Sequence, residues 1–519
     1  MTSRKTVLLV CLGLCLVLLP SIGSASEYGE INPVDVYKHH RAFNLFEEIS
    51  AIPHCPGHEQ ALADWICSIA DEHGWETQQD TIGNLLVHVP ATRGFKNAPV
   101  VALQAHLDMV CLDDAGKEFD STGFPLKLVL DNEWLSAEGT TIGADNGIGI
   151  AIALTIAIPV EYELIEHGPL ELLFTVQEEN GLIGAFNLDL KLLAEYMINL
   201  DGEMIGVIYT GSAGGFGSTI TLPLPPLAKQ NDMWEWKLNI SGLTGGHSGV
   251  DIVHGRGNAA VIMARVLKEY SSQFPITLLS MEAGERSNAI PVTATAIFAT
   301  PAEVRDIEDT FWRILKDFVA EFVPTTDPNF KMELTRLNPQ SSISYHGATQ
   351  NMIDMILSLP NGVISMSHLE GIPQTSSNMC VKIDSDTLTV SMLTRSFSMS
   401  DLDSLKEVIT DISQRFGAEA SLGSPFPNWE PVDSPLLEIA GKTWNDLHND
   451  YLTPRDSVTI TAVHAGVECG VISGEYPGMN IIATGPTIEN LHTANERLLV
   501  SSVADIYLFL YCLLPALAK

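Results

Sequence analysis

His106 and Asp108 form a His-x-Asp pattern that follows a short apolar run at residues 100–103. In an extended segment, residues two apart point to the same side. His106 can therefore bind a metal while Asp108 orients its ring and sets its basicity. Taken alone, the pattern is more typical of a structural histidine whose hydrogen bonds are satisfied. Its chemistry depends on which other ligands the chain brings to the same place.

Asp145 stands in a loop of glycines and other small residues at positions 139–147, just before a run of small apolar residues. A tight loop of this composition exposes the carboxylate at its tip. For this segment alone, an N-cap at a helix start is the simpler interpretation. The functional alternative is a carboxylate that bridges two cations.

Glu178 and Glu179 are an adjacent acidic pair after the apolar run at residues 172–176. Neighbouring carboxylates repel each other unless they are exposed, protonated or neutralised by a cation. At the end of a strand they point to different sides, so one can bind a metal while the other moves protons. The alternative without function is that both acids merely cap or solvate the strand end.

Asp201 and His492 also follow apolar runs, at residues 197–200 and 479–483. With the segments above they supply two histidines and at least four carboxylates. This ligand set suits two zinc-like ions better than one calcium ion. Two ions roughly 3.5–4 Å apart polarise a carbonyl group and lower the pKa of a bridging water. No cysteines form a C-x-x-C pair, which argues against a thiolate zinc site.

The elements that must position these residues are short apolar strands that alternate with helical patterns. This order is typical of an α/β domain with a largely parallel sheet. In such sheets, ligand sites gather beyond the carboxyl ends of the strands. We expect strands at residues 84–89, 100–103, 172–176 and 197–200, and helices within 36–76 and 148–158.

The pattern changes near residue 213, where alternating strands and amphipathic helices predict an α+β insert at 214–421. A Ser-Asn pair precedes a strand and a helix twice, at Ser287-Asn288 and Ser377-Asn378. Two related halves would explain this repetition, and coincidence would explain it as well. After Pro425 the α/β pattern resumes, with helices expected from Leu436, near Ala462 and from Ser501. The predicted division is a signal peptide at 1–26, a catalytic domain at 27–213 and 422–519, and a lid or dimerisation domain at 214–421.

The chain has 519 residues, of which 64 are acidic and 28 basic, so its net charge is −36. That charge repels phosphates, so we expect no nucleic acid partner. Arg4 and Lys5 precede an apolar run at 7–19 and small residues at 24–26, which predicts a cleaved signal peptide and an exported protein, periplasmic or secreted. An uncleaved anchor is the alternative. No later segment is apolar for long enough to suggest a stable membrane span.

Six segments resemble the aminoacyl-histidine dipeptidases (Xaa-His or β-alanyl-histidine dipeptidases). These enzymes belong to the zinc exopeptidase family that also includes aminoacylase and glutamate carboxypeptidase. The resemblance runs in order over most of the chain and implies a zinc-exopeptidase-like catalytic domain interrupted by a lid. The segments that carry it are QAHLDMV, GTTIGADNGIGIA, TVQEENGLIGA, INLDGE, GGHSGVDI and HAGVECG.

The resemblance implies a ligand set for two divalent ions, zinc foremost, with cobalt or manganese as alternatives. His106 and Asp201 would bind one ion, and Glu179 and His492 the other. Asp145 would bridge both. The substrate implied is a small peptide, an Xaa-His dipeptide above all.

The other roles come from the same resemblance. Glu178 would be the general base on the metal-bridging water, and Asp108 would orient His106. His247 would stabilise the oxyanion, for which the alternative is a histidine in a glycine turn. Asn288 and Arg395 would bind the substrate carboxylate; a surface ion pair is the alternative for Arg395.

His464 and Glu468, four residues apart on an expected helix, would line the pocket. The chain departs from the family where Thr-Ala-Asn-Glu follows His492 in place of Ser-Pro-Asp-Glu. The predicted signal peptide is a second departure, since familiar members are cytoplasmic.

The alternative functions are a carboxypeptidase or N-acyl amino acid deacylase with the same centre, and a non-catalytic binding protein. In the family a lid histidine often reaches a neighbouring subunit, so we expect a homodimer through the lid. The alternative is an active monomer in which the second half of the lid imitates that neighbour.

Overall fold

The computed structural model describes residues 36–38, 40–159, 165–228, 232–338, 345–384, 386–450 and 458–519. The predicted signal peptide, residues 1–26, lies outside these ranges. The chain divides into two compact units. Unit 1 comprises Met1–Gly211, Pro431–Thr461 and Val467–Lys519, and unit 2 comprises Ser212–Glu430 and Ala462–Gly466.

Unit 1 is built from strands and helices that alternate along the chain. Its helices are α1 (Arg41–Ile49), α2 (Gln60–His73), α3 (Ala144–Ala157), α4 (Ile183–Phe186), α9 (Pro435–Asp450), α10 (Glu468–Glu475) and α11 (Val500–Leu517). Its strands are β1 (Glu76–Gln79), β2 (Leu85–Val89), β3 (Val101–His106), β4 (Leu128–Asp131), β5 (Trp134–Ala137), β6 (Leu170–Thr175), β7 (Tyr196–Asn199), β8 (Val207–Ser212), β20 (Thr459–Val463), β21 (Asn480–Ala483), β22 (Ile488–Glu489) and β23 (Arg497–Leu499).

The main sheet of unit 1 has eight strands in the order β1-β2-β6-β3-β7-β21-β8-β20. Its centre is parallel, because β3 pairs in parallel with β6 and β7, and β21 pairs in parallel with β7. The flanking pairs β1–β2, β2–β6 and β21–β8 are antiparallel. The prediction of a largely parallel sheet therefore holds for its centre. The strands with parallel neighbours are those whose carboxyl ends precede the predicted metal ligands.

Helix α3 shows why this centre is rigid. All 14 of its residues are buried, as expected for a helix that is apolar on every side. Phe46 and Ile49 of α1 lie within about 3.5 Å of the position that a Cβ on Gly147 would take. This close approach explains the small residues at the start of α3, the helix that carries Asp145.

Two further features of unit 1 lie beside the main sheet. Strands β22, β23, β5 and β4 form a separate antiparallel four-stranded sheet. Cys55 and Cys111 form a disulfide in a small apolar cluster with Met109 and Leu126. The sequence carries no signal that pairs these two cysteines.

Unit 2 contains a nine-stranded sheet with helices that pack on it. Its main path is β14-β11-β13-β12-β17-β18-β9-β19, and β16 pairs with β17 at the side of this path. The strands of unit 2 are β9 (Gly214–Pro223), β10 (Pro226–Leu227), β11 (Trp234–Ser241), β12 (Thr277–Ala283), β13 (Ala294–Thr300), β14 (Lys331–Leu337), β15 (Tyr345–His346), β16 (Gly362–Met366), β17 (Pro373–Asp384), β18 (Thr387–Ser396) and β19 (Glu419–Leu422). Its helices are α5 (Ala259–Gln273), α6 (Val304–Phe322), α7 (Thr349–Ser358) and α8 (Met399–Arg415).

The two Ser-Asn pairs of unit 2 meet in space. The Asn378 side-chain amide donates 2.9 Å hydrogen bonds to the carbonyl oxygens of Ser287 and Ala289. Asn378 is completely buried within β17, whereas Asn288 is exposed in a loop. The two pairs thus have different environments, and the idea of two related halves stays a prediction.

The end of unit 2 differs from the predicted boundary at residue 421. Beyond β19, the backbone of Phe426 pairs with Gly215, and Trp429 pairs with Ser212. These bridges hold the chain in unit 2 as far as Glu430. No periodic pattern marks them in the sequence, because each is a single pair.

The prediction of a helix near Ala462 is wrong. Residues Thr459–Val463 form strand β20, and helix α10 begins only at Glu468. The β-branched residues of this segment favour a strand. His464 and Glu468 therefore do not share a helix face, and they belong to different units.

Among the described residues, one helix is long and apolar enough to cross a membrane by length and composition, namely α11. Half of it is buried inside the protein. Val503, Ile506, Phe509 and Leu510 pack in the core of unit 1. The apolar composition of α11 is therefore explained by its packing in the core of unit 1.

Candidate metal centre

Six of the predicted site residues come together beyond the carboxyl ends of the central strands of unit 1. We call them the strand-end cluster: His106, Asp145, Glu178, Glu179, Asp201 and His492. Within it, three groups of residues each offer ligand atoms that lie within 4.8 Å of one another. The groups are His106, Asp145 and Asp201; Asp145, Glu179 and His492; and His106, Glu178 and Glu179.

His106 ends strand β3 and is almost completely buried. Its Nδ1 lies 3.0 Å from the carbonyl oxygen of Asp108, and its Nε2 lies 2.8 Å from Asp145 Oδ1 and 3.6 Å from Asp201 Oδ1. A proton on Nδ1 that is donated to Asp108 leaves the Nε2 lone pair facing the two carboxylates. This tautomer is the one that a metal ligand requires.

Asp108 lies near His106 and also holds the acidic pair. Its Oδ1 accepts a hydrogen bond from the Glu178 N–H at 2.9 Å, and its Oδ2 accepts one from the Glu179 N–H at 3.1 Å. Its Oδ1 is 3.5 Å from His106 Nδ1. The buried Asp108 side chain therefore fixes the backbone that carries both glutamates.

Asp145 does not cap helix α3. Its backbone is non-helical, and the helix begins after Gly143 without a side-chain cap. The Asp145 carboxylate instead lies between two imidazoles, since Oδ1 is 2.8 Å from His106 Nε2 and Oδ2 is 3.3 Å from His492 Nε2. One oxygen faces each histidine, which is the arrangement that a bridging carboxylate needs.

Glu179 and His492 form the other side of the cluster. Glu179 Oε2 lies 3.1 Å from His492 Nε2, while Glu179 Oε1 is buried and has no hydrogen-bond partner among the described residues. His492 reaches this position from a left-handed backbone, with φ 58°. A buried carboxylate oxygen without a donor is costly, and a cation would remove that cost.

The electrostatics of the cluster show an excess of negative charge. Burial opposes the charged form of His106, but Asp201, Asp108 and Asp145 raise its pKa well above the ordinary value. Hydrogen bonds to Asp145 and Glu179 raise the pKa of His492 to about 11. The two imidazolium protons thus balance charge that metal ions would balance when the imidazoles are neutral ligands.

Glu178 differs from its neighbour. Burial, followed by the nearby charges of Glu179 and Asp201, raises the pKa of Glu178 well above its ordinary value. Burial raises the pKa of Glu179 less, to about 6, because His492 is its hydrogen-bond partner. Among the described residues Glu178 forms no ion pair, so this carboxyl group is the one available to hold a proton.

Two acids that sequence reasoning assigned no role lie against the cluster. Glu496 is buried and accepts hydrogen bonds from the Asp145 N–H at 3.2 Å and the Gly143 N–H at 3.3 Å. Glu203 interacts electrostatically with Asp145 and Asp201. Two features of the sequence pointed to these acids. Glu496 is the fourth residue after His492, in the segment that departs from the family pattern, and Glu203 is the second acid of INLDGE.

The predicted lid residues form a separate group within unit 2. Arg395 Nη2 lies 3.5 Å from His247 Nε2, and the Ser248 N–H donates to the Asn288 carbonyl oxygen at 2.8 Å. His464 Nε2 lies 2.8 Å from Ser376 Oγ. Arg395 is a buried residue of β18, so the surface ion pair considered for it does not occur.

The charges of this group are weakly compensated. Burial lowers the pKa of Arg395 to about 10, and its Nε is buried without a hydrogen-bond partner among the described residues. Burial, Arg395 and His247 lower the pKa of His464 to about 3, so His464 is neutral. A buried guanidinium of this kind suits an anion such as a carboxylate.

Glu468 lies at the start of α10 and is buried. Gln104 Nε2 and Thr175 Oγ1 donate to its Oε2 at 2.6 and 2.8 Å. Its charge also interacts with those of His106 and Asp201, and its role in lining a pocket stays a prediction.

The comparisons with known proteins identify the family of this chain. A family model described as the peptidase dimerisation domain, M20_dimer, matches residues 238–326. The cytosol non-specific dipeptidase of Escherichia coli strain K12 is 34% identical over 493 residues, which cover 93% of this chain and 98% of that protein.

Solved structures show the same relationship. The aminoacylhistidine dipeptidase from Vibrio alginolyticus superposes with a TM-score of 0.80 at 32% identity, over 92% of this chain and 96% of that chain. The aminopeptidase PepT from Bacillus cereus shares the fold, with a TM-score of 0.52 at 16% identity over 92% and 98% of the two chains. The predicted α/β catalytic domain interrupted by an α+β lid is confirmed.

The prediction of an exported protein, periplasmic or secreted, is wrong by the same comparison. The Escherichia coli relative, matched over 98% of its length, is a cytosolic dipeptidase. A basic start and a short apolar run meet a compositional test for a signal peptide, but composition alone does not establish export.

Proposed function

Since this chain belongs to the aminoacyl-histidine dipeptidases of the M20 peptidase family, we propose that it cleaves the amide bond of Xaa-His dipeptides at a centre of two metal ions. It is a hydrolase of the dipeptidase class. The observation that carries the proposal is the convergence of the strand-end cluster, in which Asp145 lies between His106 and His492. Five separate chain segments contribute to this cluster.

The residues present fit two divalent ions. His106, Asp145 and Asp201 would hold one ion, and Asp145, Glu179 and His492 the other, as two of the three groups of ligand atoms indicate. Nitrogen and carboxylate donors suit zinc, and cobalt or manganese are alternatives. When bound, two such ions polarise the scissile carbonyl group and acidify a water.

Glu178 supplies the general base in this proposal. Its backbone is fixed by Asp108, and its carboxyl group lies in the cluster without being needed in either three-residue ligand group above. It takes a proton from the attacking water and delivers it to the leaving amine. In this proposal Glu178 transfers the proton, whereas its neighbour Glu179 binds the metal.

The chemistry of Arg395 supports its predicted role in binding the substrate carboxylate. The dipeptide carries a C-terminal carboxylate, and the buried Arg395 has an Nε without a hydrogen-bond partner among the described residues. Asn288 stays the second predicted contact of that carboxylate, and His247, which lies beside Arg395, stays the predicted stabiliser of the oxyanion. A change of Arg395 to Lys would weaken dipeptide binding, since it removes the planar pair of donors.

The test is a library of dipeptides assayed on zinc-reconstituted protein, beside N-acyl amino acids and longer peptides. The proposal predicts turnover of free dipeptides, highest for C-terminal histidine, and loss of activity on chelation. Preferential cleavage of N-acyl amino acids would favour a deacylase instead. Preferential removal of C-terminal residues from longer peptides would favour a carboxypeptidase.

We propose in addition that two chains associate through the lid. The family model of the peptidase dimerisation domain covers residues 238–326 of unit 2. Trp312 of α6 is 64% exposed in this segment, and an interface between two chains would bury its ring. Light scattering on active enzyme should give the mass of a dimer; an active monomer would contradict this.

A further inference from the structure

The Cys55–Cys111 disulfide joins two segments of unit 1 that border the strand-end cluster. Cys55 lies between α1 and α2, and Cys111 follows β3. Both cysteines are buried. The Met109 N–H also donates to the His54 carbonyl oxygen at 3.2 Å, which connects the same two segments. The disulfide therefore anchors the end of residues 107–111, which we call the post-β3 segment.

On one side, the post-β3 segment holds three members of the strand-end cluster. The carbonyl oxygen of Asp108 lies 3.0 Å from His106 Nδ1. The Asp108 carboxylate accepts hydrogen bonds from the N–H groups of Glu178 and Glu179 at 2.9 and 3.1 Å. A displacement of this one residue would reach a histidine and both glutamates at once.

On its other side, the segment supports the loop that carries Asp145. The Thr141 N–H donates to the carbonyl oxygen of Leu112, the next residue after the segment, at 2.9 Å, and the Leu112 N–H donates to Thr141 Oγ1 at 3.2 Å. A Cβ on Gly143 would lie 2.4 Å from Met109 Sδ, so the Met109 side chain packs closely against this loop. The loop thus rests on the segment that the disulfide anchors.

Little regular structure holds the post-β3 segment in place. Residues 107–127, all of which the structure describes, form one 3₁₀ turn and isolated bridges, but no helix or strand of their own. Segments with few regular backbone hydrogen bonds are among the least stable parts of a fold. A covalent link close to Asp108 compensates for the missing strand pairing.

We propose that the Cys55–Cys111 disulfide is a positioning element of the metal centre, without which the cluster binds metal more weakly. The inference rests on the proposed two-metal function and adds that metal affinity depends on the oxidation state of these cysteines. A dithiol reductant breaks the S–S bond by exchange. Two electrons and two protons pass to the cystine, which becomes two thiols, and the reductant closes to a cyclic disulfide.

The experiment measures the zinc affinity of the whole chain with and without the disulfide. The double variant Cys55→Ala/Cys111→Ala should bind zinc roughly 10–100-fold more weakly, the usual range for residues that support ligands. Competition with a fluorescent zinc chelator gives the affinity, and circular dichroism shows whether the variant is folded. Peptide mapping without reductant should find the two cysteines linked in the unchanged protein.

A matched control is Cys380→Ala, which removes a buried cysteine without a disulfide from β17 of unit 2. It should leave the zinc affinity unchanged, whatever its effect on the free energy of unfolding. A disulfide that only stabilised the fold would act in the same way, lowering the midpoint of a denaturant titration but not the zinc affinity of the folded protein.

A second measurement uses the unchanged sequence and decides the matter if the double variant does not fold. Protein reduced with a dithiol, and then freed of it without air because dithiols bind zinc, should show the same weakening. Reoxidation by glutathione disulfide, which takes up the two electrons and two protons, should restore the affinity. A loss that oxidation reverses is the mark of positioning by the disulfide.

The outcomes separate this inference from the proposed function. If the unchanged protein binds two zinc ions and cleaves dipeptides, but reduction leaves its zinc affinity unchanged, the positioning role is wrong and the dipeptidase function stands. Unlinked peptides in the map would also overturn the inference. If the oxidised protein cleaves only N-acyl amino acids and loses zinc affinity on reduction, the dipeptidase function falls and the positioning role stands.

Discussion

The strand-end cluster and a second group of buried polar residues lie on the same central strands of unit 1, yet they bury carboxyl groups in different ways. We call the second group the sheet network: Gln104, Thr175, Asn199 and Glu468. Gln104 lies two residues before His106, and Asn199 two residues before Asp201. One or two residues along a strand separate the two kinds of site.

In the sheet network, neutral donors surround one acid. Asn199 Nδ2 donates to Gln104 Oε1, and both Gln104 and Thr175 donate to Glu468 Oε2. Burial raises the pKa of Glu468 to about 7, so this group is readily protonated and needs no counterion. Its Oε1, like that of Glu179, is buried without a hydrogen-bond partner among the described residues, but protonation rather than a cation can neutralise this single acid.

In the strand-end cluster, four carboxyl groups surround two imidazoles. No described lysine or arginine forms an ion pair with them, and the imidazoles can balance the charge only while protonated. The two groups differ in whether neutral hydrogen-bond donors reach their carboxyl groups. A buried acid with neutral donors is structural, whereas a group of acids without them is built for a cation.

The largest expected effect separates proton transfer from metal binding within the cluster. Glu178→Gln should lower kcat by roughly 10²–10⁴-fold, because the amide cannot take a proton from the attacking water. Both metal ions should stay bound, since Glu178 is not needed as a ligand. Steady-state kinetics and metal analysis on the same preparation check this, and near wild-type turnover would refute the role of Glu178.

The expected effect of Glu179→Gln differs from that of Glu178→Gln, because it concerns metal binding rather than proton transfer. It removes the charge of a ligand whose Oε2 lies 3.1 Å from His492 Nε2. We expect bound metal to fall from two ions towards one, with activity recovered in part at high zinc concentration. Equal metal content in Glu179→Gln and the unchanged protein would show that Glu179 is not a ligand.

Glu496 tests whether the cluster depends on its supporting residues. An amide at this position keeps one acceptor oxygen for the two N–H groups of Gly143 and Asp145. Glu496→Gln should therefore loosen the Asp145 loop and weaken metal binding by roughly 10–100-fold, the usual range for such supporting residues. Competition with a fluorescent zinc chelator measures the affinity; an unchanged affinity would make Glu496 a bystander.

The smallest effect is expected in the sheet network. Glu468→Gln keeps an oxygen that accepts from Gln104 and Thr175, so the free energy of unfolding should not fall by more than about 1 kcal/mol at pH 6. Since the folded-state pKa of Glu468 is raised to about 7, its ionisation destabilises the folded protein as pH rises through that value. The variant should lose this part of the pH dependence in denaturant titrations. A steep loss of stability at pH 6 would contradict the comparison.

The convergence of the strand-end cluster could be predicted from the sequence because ligands at strand ends follow recognisable apolar runs. His106, Glu178 and Asp201 each come within three residues of the end of such a run. The same reasoning missed Glu496 and Glu203, since the backbone N–H groups and loops that they contact have no sequence pattern. It also joined His464 to Glu468, because spacing alone cannot show that strand β20 ends just before His464 and that helix α10 begins only at Glu468.

Boundaries were harder to predict than elements. Helix α3 forms at Ala144–Ala157, close to the helix expected at 148–158. The end of unit 2 depends instead on isolated backbone bridges at Phe426 and Trp429, which no periodicity reveals. Elements follow local side-chain patterns, whereas domain limits follow single long-range contacts.

The central claim is that the strand-end cluster binds two metal ions through a shared carboxylate, and bound metal tests it most directly. Protein reconstituted with zinc and freed of excess ions should carry two ions per chain, Asp145→Asn fewer than one, and Glu468→Gln two. Circular dichroism should show that both variants are folded. Two ions retained in Asp145→Asn, or full activity of the unchanged enzyme without bound metal, would contradict the account.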